Sequence, residues 1–449
     1  MTFRMLALLP CRHVAQWCCT VAVLLTAADL SAAAEPKPLP LATHIKSTDD
    51  LNDVRSAAPS WTAEQGGSLT LRATAHDLNA WATIPAAPGG WVLSRRASIE
   101  ATITNDGAQP TDVGLWVVAD RGWESIADYV ILEPGITRTF SCPLRQTFPD
   151  GTPKLDPQRV TGVRVMLHKP VADATVIVRQ LIATGVAEAW QRPSGRLELP
   201  PIETGPPTAG RRTRHQLPED KGTGIHCLVY LPRDWNPAHT YPLIVEYPGN
   251  IFFTPGCYST GLPDQCTIGY GMTQGEGAIW VSLPFIDRAA GTIIESGWGN
   301  PDDTADYAVR VVEHICGSFG GDRNNVVLTG FSRGAIACGF IGLRNDRIAG
   351  LWKAFNLCQH FDGDGWGGAS MEGAIERAGR FRGVSVFHTD NSEEKVRPVT
   401  AAMNVPTTFV QSGLGAHSTA MFLDDRESTT ALRHWFTKTT RTIKDDSKP

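Results

Sequence analysis

The stretch Val326-Val327-Leu328-Thr329-Gly330-Phe331-Ser332-Arg333-Gly334-Ala335-Ile336-Ala337 decides how the second half of this chain is read. Its β-branched apolar start predicts a buried strand, and its small-residue end predicts a helix. Between them stands Gly-x-Ser-x-Gly. In a strand–turn–helix setting, the two glycines leave room where the turn crowds its neighbours. The serine takes a strained backbone position, and its hydroxyl projects from the carboxyl edge of the sheet. The competing reading is an ordinary Gly-rich turn whose serine caps the helix.

Outward from this stretch the pattern alternates. Strand-like apolar runs fall at 225–231, 243–247, 278–283, 326–329, 351–357, 384–387 and 407–411. Several are continuous, as parallel strands buried on both faces are. Tyr307, Val311 and Ile315 recur every four residues and predict an amphipathic helix over 303–316, with Asp302 and Asp303 at its start. A closing helix is expected near 428–436, and a charged, disordered tail over 439–449. Residues 223–438 therefore read as a doubly wound, mostly parallel α/β sheet.

Ser332 needs a base, because a neutral hydroxyl is a poor nucleophile. His417, in the glycine-rich loop after the last expected strand, is the candidate; His360, His388 and His434 compete with it. An acid should orient the imidazole. Asp390, at the end of a strand and between the serine and the histidine in chain order, is the candidate; Asp362, Asp364, Glu393 and Glu394 are alternatives. Acyl transfer also needs donors for the developing oxyanion. One is the backbone N–H of Arg333. The other belongs to Gly249 or Asn250, since Pro248 has none. The Arg333 side chain is free to pair with a substrate acid or with a surface carboxylate. Together these residues read as a serine hydrolase that needs no cofactor and no metal.

The first part differs. Over 41–187, short alternating runs such as Ile99, Ala101 and Ile103 against Glu100, Thr102 and Thr104 predict an all-β sandwich, with turns at Asn105-Asp106-Gly107, Pro134-Gly135 and Pro149-Asp150-Gly151. Trp61, Trp81, Trp91, Trp116 and Trp123 would offer flat faces to sugar rings if exposed; the bland alternative is core. Residues 188–222, rich in Pro and charge, read as a linker. Arg4 and Arg12, an apolar run and Ala32-Ala33-Ala34 predict an export signal over 1–34, cleaved to leave a secreted or periplasmic protein without a stable membrane span.

The 449 residues are 42% hydrophobic and 19% charged, with a formal net charge of −5. Nothing there suggests nucleic acid. Of ten cysteines, Cys11, Cys18 and Cys19 lie in the expected signal; Cys257 and Cys266 are the best placed for a disulfide in an oxidising compartment.

On the motifs Tyr230-Leu231-Pro232, Gly330 to Gly334, Asp390 and His417, residues 223–438 resemble the α/β-hydrolase superfamily. Within it they are similar to exported esterases of the feruloyl/acetylxylan esterase and polyhydroxyalkanoate-depolymerase kind. Pro248 departs from the pattern, in which many relatives carry His before the glycine. The sandwich resembles jelly-roll modules found beside polysaccharide-degrading enzymes. The resemblance implies ester hydrolysis on a small-molecule or polysaccharide ester. A serine peptidase of the prolyl-oligopeptidase type, or a non-catalytic carbohydrate-binding protein with a degenerate hydrolase part, are the alternatives.

Overall fold

The computed structural model describes residues 37–75, 79–119, 124–191, 196–254, 257–415 and 422–441. The expected export signal, Trp123, His417 and the tail from 442 lie outside the described residues.

The apolar runs of the second part lie in one nine-stranded sheet. Its strands are β1 (Ile202–Glu203), β2 (Arg212–His215), β3 (Cys227–Tyr230), β4 (Tyr241–Tyr247), β5 (Ile279–Ser282), β6 (Gly321–Phe331), β7 (Ala354–Cys358), β8 (Ser385–Thr389) and β9 (Thr407–Val410). They lie in the order β1-β2-β3-β5-β4-β6-β7-β8-β9. From β5 to β9 every pairing is parallel, and β3 joins this block antiparallel.

The helices are α1 (Ile268–Thr273), α2 (Pro301–Phe319), α3 (Arg333–Phe340), α4 (Asp346–Ala349), α5 (Met371–Ala378), α6 (Glu393–Met403) and α7 (Glu427–Thr440). Successive strand residues face opposite sides, so the sheet supports two cores. Leu243, Val245, Val326 and Leu328 pack with residues of α2, α3, α5 and α6. Ile244, Trp280, Val327 and Phe387 pack with residues of α1 and α7 on the other side. The periodic residues Tyr307, Val311 and Ile315 of α2 are buried. Asn300 caps this helix by accepting from Asp302 N and Asp303 N at 3.0 and 3.2 Å.

The first part is two facing antiparallel sheets. One runs in the order 58–62, 68–73, 174–184, 98–105, 137–143, and the other 52–55, 79–85, 160–168, 111–119, 125–132. Ile99, Ala101 and Ile103 are buried between them. The sandwich is wedged into the α/β part by its 147–153 turn. Phe148 is buried among Tyr270, Leu414 and Phe422, and Asp150 pairs with Arg426 at 3.1 Å.

Several expectations are corrected. The 188–222 stretch is not only linker: β1 and β2 extend the sheet, because Arg212 is buried and donates to the carbonyls of Pro263, Asp264 and Cys266. The expected tail over 439–449 is corrected at its start, since α7 runs to Thr440. For Trp81, Trp91 and Trp116 the core alternative holds, since all three are buried; Trp81 and Trp116 flank the Arg164 guanidinium. Cys266 is a free buried thiol, so the Cys257–Cys266 disulfide is not formed; its Sγ faces the Glu246 carbonyl at 3.9 Å. Cys142, Cys227, Cys316, Cys338 and Cys358 likewise form no disulfide among the described residues. No helix among the described residues is long and apolar enough to cross a membrane.

Candidate active site

β6 ends and α3 begins at Ser332, whose backbone lies at φ 54° and ψ −117°. That conformation is costly for a residue with a Cβ and persists only where its surroundings over-determine it. Here they do. The Ser332 N–H donates to Cys358 O at 3.1 Å, and its carbonyl accepts from Ala335 N and Ile336 N at 2.9 and 3.1 Å. The side chain does not cap α3, so the helix-capping alternative fails.

Ser332 opens onto a cleft of about 490 Å³ at the carboxyl ends of the strands. Asn250, Gln359, His360 and Asn391 give it polar walls, and Phe252, Ile336 and Trp366 apolar ones. Lys395, exposed on α6, stands at its edge. His360 contacts Asp364 through Nδ1. Among the described residues, no three His, Cys, Asp or Glu side chains gather as for a metal ion.

The Asp390 carboxylate lies at the end of β8. It accepts from Ser412 N at 2.5 Å and from Gln359 Nε2 at 3.5 Å. Gln359 Nε2 also approaches Gly415 O at 3.4 Å. Asp390 is thus held against residues 412–415, which lead into the segment carrying His417. Of the other acids, Asp362 is buried against Arg377 at 2.9 Å to each oxygen. Burial raises its pKa, and Arg377 opposes that rise. Glu393 pairs with Arg397 one turn along α6, and Glu394 is exposed in the same first turn. Neither competing imidazole in the last strands or helix reaches the cleft: His388 is fully buried in β8, stacked on Phe409 at 6.0 Å, and His434 is exposed on α7.

The Arg333 side chain corrects a further expectation. It meets neither a substrate-facing opening nor a surface carboxylate. The residue is 1% exposed, and its guanidinium donates to Gly249 O, Gly261 O, Gly297 O and Ile294 O at 2.8, 2.7, 2.8 and 3.4 Å. It lies 4.0 Å from the centre of the Phe285 ring. Burial pushes its pKa down to about 9, which leaves it charged at neutral pH. Asn250 Oδ1 accepts from Gly297 N at 3.0 Å, so the loop after β4 is fixed to the loop before α2.

The sequence reading had no signal for the roles of Gln359 and Lys395. Gln359 has a positive φ of 68°, unusual for a residue with a side chain, but nothing in its neighbours announces it.

No family model matches the chain, and no curated protein matches it. Among solved structures, a thermostable esterase is 13% identical, with 76% of this chain and 95% of that chain covered and a TM-score of 0.35. An acetyl ester-xyloside bifunctional hydrolase from Caldicellulosiruptor lactoaceticus is 15% identical over 52% of this chain and 98% of its own, with a TM-score of 0.35. A family 11 carbohydrate-binding module of a Clostridium thermocellum cellulase is 13% identical over 34% of this chain and 96% of its own, with a TM-score of 0.25. At these identities and scores the likenesses assign neither a family nor an activity.

Proposed function

We propose that this chain is a serine carboxylic-ester hydrolase. One observation carries the reading: a serine held at φ 54° between β6 and α3, with its hydroxyl left uncommitted to the helix cap and a cleft of about 490 Å³ in front of it. Ser332 Oγ attacks the acyl carbon while His417 takes its proton. Asp390 orients that imidazole and balances its charge. The oxyanion is received by the Arg333 N–H and by an N–H of the Gly249-Asn250 loop. The imidazolium then protonates the leaving alkoxide, and water, activated by the same base, releases the acid.

The aromatic and amide lining suits an acylated carbohydrate, which offers flat apolar faces and hydroxyls together. In this reading the protein is exported and acts on small or polymeric sugar esters. The test is labelling by a fluorophosphonate probe followed by trials of acetylated sugars, p-nitrophenyl acetate and peptide substrates. Labelling of the wild type, lost in Ser332→Ala, is expected. An unlabelled wild type would point to a non-enzyme, and faster cleavage of peptides than of esters to a peptidase.

A second reading rests on His360, which shares the cleft with Ser332 and contacts Asp364. In it, this pair supplies the base. Under the first reading His417→Ala lowers kcat by several orders of magnitude and His360→Ala by far less; the reverse ranking supports the second.

A further inference from the structure

The peptide joining Gly249 to Asn250 follows β4 and lies beside the nucleophile. Arg333 Nη2 donates to the Gly249 carbonyl at 2.8 Å, so that oxygen is turned inward to a buried cation. In a planar trans peptide, the carbonyl of one residue and the N–H of the next point in opposite directions. The Asn250 N–H is therefore turned away from the guanidinium.

The two residues also face different spaces. Asn250 lines the cleft that holds Ser332. Gly249 instead lines a separate pocket of about 20 Å³ bounded by Glu246, Cys266 and Ile268. Among the described residues, the Asn250 N–H finds no acceptor, whereas the next amide, of Ile251, donates to Glu295 O at 3.0 Å.

We infer that Arg333 is a positioning residue: its guanidinium sets the Gly249-Asn250 peptide so that the Asn250 N–H, not that of Gly249, joins the Arg333 backbone N–H in receiving the oxyanion. This rests on the ester-hydrolase reading and names the donor that reading leaves open. One residue then serves the oxyanion twice, through its own amide and through the peptide its side chain holds. The remaining bonds, to Gly261, Gly297 and Ile294, brace the guanidinium so that it cannot follow the peptide if the peptide rotates. A carbonyl bonded to a cation also polarises its peptide and strengthens the N–H on the far side.

The first experiment uses the full-length wild type labelled with 15N at asparagine and glycine. Reaction with a fluorophosphonate leaves a tetrahedral adduct at Ser332. The amide proton of Asn250 is expected to move downfield on adduct formation while that of Gly249 stays. A shift at Gly249 with none at Asn250 overturns the inference. The second compares Arg333→Gln and Arg333→Lys with the wild type on p-nitrophenyl acetate, each normalised to active sites titrated with the phosphonate. Loss of one oxyanion donor predicts a fall in kcat of about 10²–10³-fold with little change in KM for Arg333→Gln, and a smaller fall for Arg333→Lys. A purely structural arginine would reduce the titratable fraction and leave kcat per site unchanged; that result overturns the inference. If Arg333→Gln does not fold, the wild-type spectrum still decides. A wild type that forms no adduct removes the hydrolase reading itself, which separates the two failures.

Discussion

Gly330 and Gly334 hold the turn around Ser332 because nothing larger fits. A Cβ on Gly330 would lie 2.2 Å from the Gly334 carbonyl carbon, and one on Gly334 would lie 2.1 Å from Tyr247 O. Both obstacles are backbone, so relief requires β4 or β6 to move. Gly334→Ala is expected to cost about 2–4 kcal/mol and to displace Ser332, as read by urea unfolding and phosphonate labelling. A variant of wild-type stability would contradict this crowding. His388 makes a different prediction. Burial pushes its imidazole from 6.5 down to about 4. The unfolded chain takes up that proton first, so it binds more protons across this window, and stability falls as pH falls from about 6.5 toward about 4. The full effect is on the order of 3 kcal/mol. His388→Phe, which can keep the stack on Phe409, should flatten the decline between neutral and acid pH in chemical denaturation; equal slopes for both proteins would refute it. At this scale the strained strand–helix turn at Ser332 was legible because it follows from local sequence. The Arg333 guanidinium was not, because its four acceptors come from residues 249, 261, 294 and 297, and no local pattern announces them.

At the scale of elements, hydrophobic periodicity located β3 to β9 and α2, since strands buried on both faces are nearly pure apolar runs. It missed β1 and β2, which are two and four residues long and carry Glu203, Arg212, Arg214 and His215. A charged, proline-flanked stretch reads as linker until a buried partner is known, and the partners of Arg212 lie some fifty residues away. Cysteine spacing misled in the same way: two thiols close in sequence say nothing of where each Sγ points. The 147–153 turn of the sandwich was equally silent. Phe148 fills a core it shares with Leu414 and Phe422, and Arg426, paired with Asp150, donates to Ser412 O at 2.9 Å. Phe148→Ala is expected to cost about 3–5 kcal/mol and to loosen residues 412–415. Hydrogen exchange at Ser412 and Leu414 would report the loosening; unchanged protection there would show that the wedge does not support this loop.

Across the whole molecule, a buried side chain from one part inside the core of the other couples their stabilities. Leu197 N donates to Leu423 O at 2.6 Å and adds to this joint. Scanning calorimetry of residues 37–441 is expected to show one cooperative transition, and Phe148→Ala to separate it into two. Two transitions in the wild type would mean that the parts unfold independently. The two-part layout was visible in the sequence as a change from alternating to continuous apolar runs; their coupling was not, because it depends on a turn that reads as surface. The six thiols that form no disulfide among the described residues carry a last consequence. Five of them are buried in the native state and Cys316 is half-buried; all would become reachable once the chain opened, and in an oxidising medium random pairing would trap it. Heating under such conditions should be one-way, and a reductant should restore the return path, so that the medium rather than the fold sets whether this protein survives a thermal excursion.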